Sequence, residues 1–280
     1  MNLPHSLVLA ALFAVLAGQD PAPKGQDPKP AAQPPGDPVK QRLENSPRHQ
    51  EWVELKQGER TLHCFVVFPE KKEKALAVLV IHENKGLTDW VRAVSDELAE
   101  AGYIAIAPDL LSGAGPGGGK TDSFSGNDAA TQALYKLPPQ QVTADLNAAA
   151  DHATKLEAGN GKLAAIGFCW GGTQSFAFAT ARKDLRAALV FYGSAPKDEA
   201  LLSKIECPVF GFYGENDARI TEGVAATGEL MKKLGKKFEP VVYPGAGHGF
   251  FRMGAAPEAS AANKQAHAEA WTRVKALLSN

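Results

Sequence analysis

Leu163-Ala164-Ala165-Ile166 runs directly into Gly167-Phe168-Cys169-Trp170-Gly171-Gly172, and helix-compatible residues then follow from Thr173 to Arg182. An apolar strand, a tight glycine-flanked turn and a helix in that order form a nucleophile elbow. The turn is so sharp that its flanks need glycine, and it holds the central side chain up and exposed at the helix N-terminus. Here that side chain is the thiol of Cys169. The helix dipole and the free N–H groups of the first turn favour its anion, and a nearby histidine can take the proton. The competing reading is a buried structural cysteine, which leaves the glycine spacing without a reason.

A nucleophile needs a base and an acid that orients the base. After the strand-like Pro208-Val209-Phe210-Gly211-Phe212-Tyr213 comes Gly214-Glu215-Asn216-Asp217, which puts an acid at the C-terminal end of a strand. Asp217 is preferred to its neighbour Glu215. The strand-like run Phe238 to Tyr243 ends in Pro244-Gly245-Ala246-Gly247-His248-Gly249-Phe250, a glycine-flanked loop that presents one histidine. Each signal alone has a bland reading, a turn-forming aspartate or a solvated histidine. Together, the chain order nucleophile, acid, histidine is that of α/β-hydrolase folds and differs from the chymotrypsin and subtilisin orders.

The rest of the chain fits such a fold. Arg60 to Phe68 alternates in polarity like a half-buried strand, with Glu51 to Lys56 as its antiparallel partner. Ala75 to Ile81 is continuously apolar, as are Tyr103 to Ala107, Leu163 to Ile166, Ala187 to Phe191 and Val209 to Tyr213, the pattern of strands covered on both faces. Helical segments lie between them. Thr88 can cap one whose Val91, Val94, Leu98 and Ala101 share a face and which Gly102 can end, and a last helix carries Ala270, Trp271, Val274, Leu277 and Leu278 on one side. Alternation of this kind implies a mostly parallel sheet with helices on both faces, here of eight strands, and all three chemical candidates follow strands at the end where ligands bind.

Composition narrows the function further. With 280 residues, 44% of them hydrophobic, the chain can bury a large single core. A formal charge of −1 with interspersed signs offers no basic field for nucleic acid. Gly113-Ala114-Gly115-Pro116-Gly117-Gly118-Gly119-Lys120-Thr121 nearly spells a phosphate loop, but Ala114 stands where glycine is required and no helix follows at once, so it reads as a flexible loop. His63, Cys64, His82 and Glu83 lack zinc-site spacing, so neither metal nor cofactor is expected. Leu7 to Ala17 is an apolar stretch too short to span a bilayer and ends in small residues, which gives an expected signal peptide over 1–18 and a secreted or periplasmic location. The segment over 19–45, rich in proline and polar residues, reads as a disordered spacer, and 46–280 as the folded domain, with packing beginning between Val39 and Gln50. Cys64 and Cys207 lie in separate strands, so no disulfide is expected.

The elbow, the pair His82-Glu83 followed by Asn84-Lys85-Gly86-Leu87, the run Pro108-Asp109-Leu110-Leu111, and Asp217 with Gly247-His248-Gly249-Phe250 occur together. On these residues the chain resembles the dienelactone hydrolase family from about Glu51 to its C-terminus. The resemblance implies a Cys-His-Asp triad of Cys169, His248 and Asp217. It also implies that Glu83 holds the resting nucleophile, a residue otherwise read as a solvated carboxylate or a partner of Lys85. By the same resemblance, the backbone N–H groups of Asn84 and Trp170 form the oxyanion hole, and Arg252 binds a substrate carboxylate. Where the family has a second arginine, after Pro108-Asp109-Leu110, this chain has Leu111-Ser112-Gly113 and the glycine-rich loop, which is expected to reshape the pocket mouth. The expected activity is hydrolysis of a small ester or lactone through a cysteinyl acyl-enzyme. The rivals are a thioesterase or acyltransferase with the same triad, and a non-catalytic exported binding protein that kept the fold.

Overall fold

The computed structural model of the chain describes residues 37–279. The expected signal segment, and the spacer up to residue 36, lie outside them. The strands are β1 (Gln50–Gln57), β2 (Arg60–Val67), β3 (Ala75–Ile81), β4 (Ile104–Pro108), β5 (Gly159–Phe168), β6 (Leu185–Phe191), β7 (Val209–Gly214) and β8 (Phe238–Tyr243). The helices are α1 (Pro38–Glu44), α2 (Asp89–Glu100), α3 (Asn127–Leu134), α4 (Pro139–Lys155) and α5 (Trp170–Ala181), then α6 (Glu199–Leu202), α7 (Ala218–Thr221), α8 (Val224–Lys233), α9 (Phe250–Met253) and α10 (Ala261–Ser279). None of these helices is long and apolar enough to cross a membrane.

The strands form one eight-stranded sheet in the order β1-β2-β4-β3-β5-β6-β7-β8. β1 pairs antiparallel with β2, and β2 with β4; every other pairing is parallel. The continuous apolar runs are explained by burial on both sides. Along β3, Ala77, Leu79 and Ile81 join a core with Leu146 and Ala149 of α4 and Phe176 of α5, while Val78 and Val80 join one with Val94 and Leu98 of α2 and Val274 of α10. Alternate side chains thus feed opposite layers, and both faces are covered. The resulting α/β-hydrolase architecture brings the C-terminal ends of β3, β5, β7 and β8 to one edge of the sheet.

Three local readings differ from the structure. Residues 38–44 were expected to end the spacer, yet they form α1. Pro38 is favourable in a first helical turn, the Asp37 carboxylate accepts from Val39 N–H at 2.9 Å, and Arg42 reaches the buried Asp96 at 3.0 Å and Glu100 at 2.6 Å. Thr88 occupies the N-cap of α2, but its side chain makes no capping bond. The glycine-rich loop contains two single 3₁₀ turns, Pro116–Gly118 and Thr121–Ser123, and its Thr121 is bonded to the body of the protein.

Candidate active site

Cys169 sits between the last residue of β5 and the first of α5 with φ 56° and ψ −117°, a left-handed conformation that a non-glycine residue adopts only under constraint. The constraint is close backbone packing. A Cβ on Gly167 would collide with the Gly171 carbonyl, and one on Gly171 with the carbonyls of Ile81 and His82. Cys169 N–H donates to Phe191 O at 3.0 Å, which ties the elbow to the end of β6. The helix therefore begins at Trp170, earlier than Thr173. As the first residue of α5, Trp170 carries an N–H without an intrahelical acceptor.

Asp217 and His248 reach the elbow from the ends of β7 and β8, beyond the neighbouring β6. Asp217 lies just past β7, is 6% exposed, and precedes α7. The loops after β7 and β8 are stitched to each other: Asn216 N–H donates to Ala246 O at 2.8 Å, Asn216 Nδ2 to Gly245 O at 3.0 Å, and Gly245 N–H to Glu215 Oε2 at 2.7 Å. Glu215 is thus occupied with backbone, while Asp217 Oδ2 lies 2.6 Å from His248 Nδ1. On the other side of the ring, His248 Nε2 lies 3.2 Å from Cys169 Sγ. These contacts raise the His248 pKa from its ordinary value to about 8, Cys169 contributing most and Asp217 further, against the opposing effect of burial.

Glu83, at the turn after β3, is buried, and its Oε2 accepts from Arg252 Nε of α9 at 2.9 Å. The resemblance pairs Glu83 with the cysteine; here its hydrogen-bond partner is Arg252, and Cys169 Sγ faces His248. Asn84 follows Glu83 on the same turn. Tyr192 completes the surroundings and carries no sequence signal beyond its place after β6. Its φ is 40°, its ring stands edge-on to His248 at 5.0 Å, and its fully buried hydroxyl lies beside the Glu83 carboxylate. Burial first, then the nearby Glu83 charge, push this phenol well above its usual pKa. His267 is remote from this chemistry: its Nδ1 lies 2.6 Å from Phe251 O, and burial lowers its pKa.

A cleft of about 830 Å³ opens beside the glycine-rich loop, lined by residues including Trp52, Trp90, Arg92, Lys120 and Thr121. Trp90 meets Phe168, the residue before Cys169, edge to face at 5.1 Å. The cations of the cleft are already paired, Lys120 with Asp122 and Arg92 with Asp89.

The family model described as dienelactone hydrolase matches residues 62–280. A provisionally named carboxymethylenebutenolidase of Salmonella typhimurium is 33% identical over 194 residues, 65% of this chain and 70% of that protein. One of Saccharolobus solfataricus, also provisionally named, is 29% identical over 252 residues, 78% of this chain and 93% of its own length. Among solved structures, a provisionally named dienelactone hydrolase from Klebsiella pneumoniae superimposes with a TM-score of 0.73 at 24% identity, covering 83% of this chain and 99% of that one, which supports the fold. With the family match spanning both the elbow and the histidine loop, the chain belongs to the dienelactone hydrolase family and is a hydrolase of that family.

Proposed function

We propose that this hydrolase cleaves a small ester or lactone by covalent catalysis, with Cys169 as nucleophile, His248 as general base and acid, and Asp217 as the group that fixes the imidazole. The single observation that carries this reading is the unbroken line Asp217–His248–Cys169, at 2.6 and 3.2 Å, ending on a strained elbow at a helix N-terminus. The Cys169 sulfur, its proton passed to His248 Nε2, attacks the carbonyl carbon. A C–S bond forms and the carbonyl π electrons move onto oxygen, where the N–H groups of Trp170 and Asn84 hold the negative charge. When the carbonyl re-forms, the C–O bond to the leaving group breaks, and His248 returns its proton to that oxygen. Water then gives a proton to His248 and attacks the thioester, which releases the acid and the Cys169 thiol. Mass spectrometry of enzyme quenched during turnover tests the reading: the substrate's acyl mass on the Cys169 peptide supports it, and a rapidly turning-over enzyme that never carries that mass argues against it.

The Arg252 guanidinium is about two-fifths exposed, while its partner Glu83 is largely enclosed. A substrate carboxylate could therefore take Glu83's place on the arginine without either anion crossing the core. Charge-assisted hydrogen bonds of this kind are worth about 1.5–3 kcal/mol, or roughly 10- to 150-fold. Arg252→Ala is accordingly expected to reduce kcat/KM by that factor for a carboxylate-bearing lactone, and by much less for a neutral ester of similar size. Equal losses on the two substrates would show that Arg252 serves only to neutralise Glu83. The second family arginine has no counterpart, since Leu111 is buried and Ser112 faces inward to Asp109 O. A single guanidinium gives a moderate preference for anions.

Export is proposed from the sequence alone. Mature protein recovered from a secreting host is expected to begin near Gly18 or Gln19, as N-terminal sequencing would show, and an intact Met1 in the native host would remove the proposal.

A further inference from the structure

An oxyanion hole made of backbone N–H groups works only if that backbone is fixed before charge develops. Trp170 is held by its helix, but Asn84 lies in a turn, Glu83 to Leu87, and three polar side chains outside the triad hold that turn at both ends.

The first is His82. Fully buried, it places Nδ1 2.8 Å from Glu83 O and Nε2 3.2 Å from Leu110 N. A backbone N–H can only donate, so Nε2 is the acceptor, and the ring proton on Nδ1 is donated to the Glu83 carbonyl. Burial lowers the pKa of His82, in keeping with a neutral ring. Its ring stacks on that of Trp170 at 5.8 Å, so one imidazole touches both halves of the oxyanion hole.

The other two are Asp109 and Thr121. Buried Asp109 accepts from Leu111 N–H at 3.1 Å, Thr121 N–H at 3.0 Å and Thr121 Oγ1 at 2.7 Å. Having donated its proton to Asp109, the Thr121 hydroxyl accepts Leu87 N–H at 2.9 Å. The fit is tight. Gly86 has φ 81°, and a Cβ there would strike the Thr121 side chain.

We propose that Thr121 is a positioning residue for the oxyanion hole: its hydroxyl, aimed by Asp109, pins Leu87 N–H and so fixes the turn that presents Asn84 N–H. The glycine-rich loop, whose sequence matched no binding motif, thereby serves the reaction through its last residue. The inference rests on the reading of Asn84 N–H as an oxyanion donor.

Thr121→Val keeps the branched shape and removes the hydroxyl, Thr121→Ser keeps the hydroxyl, and Thr121→Ala is a smaller alternative at this half-exposed position should valine disturb folding. Each variant is assayed with a neutral chromogenic ester and, separately, for the rate at which iodoacetamide alkylates Cys169, a displacement that needs the thiolate but no oxyanion hole. Outright loss of an oxyanion donor costs about 10²–10³ in kcat. Loosening one is expected to lower kcat roughly 10- to 100-fold in Thr121→Val and Thr121→Ala, with KM and the alkylation rate within about twofold of the parent. Thr121→Ser should recover most of kcat. Parallel losses in ester turnover and alkylation would overturn the proposal, because Thr121 would then support the nucleophile or the fold at large. Unchanged kcat would overturn it too. Failure of the underlying covalent reading shows up separately, as ester turnover by wild-type enzyme whose Cys169 has been fully alkylated.

Discussion

Cys169→Ala is expected to abolish turnover while leaving the fold intact. Removal of a triad nucleophile costs several orders of magnitude, about 10⁶ in a comparable serine-based triad. A variant that keeps more than about a tenth of wild-type activity would refute the assignment. The fold should survive because Cys169 is only partly buried, and alanine at φ 56° still has the neighbouring glycines to accommodate it. Cys64→Ala is the control. All three cysteines are free thiols, but burial pushes the Cys64 pKa far up and that of Cys207 to about 11, so alkylation near neutral pH should modify Cys169 alone. Loss of activity should then track one equivalent of label, countable by mass spectrometry.

Asp217→Asn is expected to lower kcat by roughly three to four orders of magnitude, because an amide that donates to Nδ1 stabilises the wrong imidazole tautomer. Glu215→Gln should change kcat little, since Glu215 accepts from the Gly245 backbone and does not meet the histidine. The two variants should also differ in pH dependence. In the wild type, His248 keeps its proton until about pH 8, held up first by Cys169 and then by Asp217. In the proposed mechanism the imidazolium that would protonate the leaving group is therefore lost as pH rises through that value, and kcat/KM should fall on that limb. Without the Asp217 charge the limb should move to lower pH, stopping short of a free histidine because the Cys169 contribution remains. A limb that stayed in place in Asp217→Asn would mean that some group other than His248 governs it.

What could be read from the chain depended on how local each cause was. The elbow was legible because its glycines mark the tight turn locally: Gly167 answers to the Gly171 carbonyl within the turn, although Gly171 and Gly172 answer to the neighbouring strand ends at Ile81–His82 and Phe191–Gly193, which no spacing reports. β3 and β8 were legible to the residue because burial on two faces, or a strand ending in Pro244-Gly245, leaves a continuous local mark. The Glu83–Arg252 pair spans 169 positions and joins a strand end to a four-residue helix, so no spacing rule reports it. His82 and Thr121 act on backbone N–H and C=O groups, which have no side-chain identity to recognise. α1 was obscured by composition: the prolines that mark the preceding stretch as unable to pack are also tolerated at a helix start, and the ion pair that anchors Arg42 to Asp96 lies 54 positions away.

The staple between Asp109 and Thr121 also sorts the intervening loop into parts that tolerate change unequally. Gly113, Gly115 and Gly119 have neighbours where a side chain would stand, whereas Gly117 and Gly118 face open space, although their φ values of 67° and 78° still favour glycine. An exposed tip between two fixed ends is where insertions are thermodynamically tolerated, since each doubling of loop length costs only about 0.6 kcal/mol. Residues 116–118 therefore form a natural grafting point. Insertions there, whether by drift among homologues or in a designed library, can remodel the rim of the adjacent cleft while the Thr121 end of the loop, with its proposed hold on the Asn84 turn, stays in register. Evolvability of specificity, on this architecture, is concentrated in three residues at the end of a short tether.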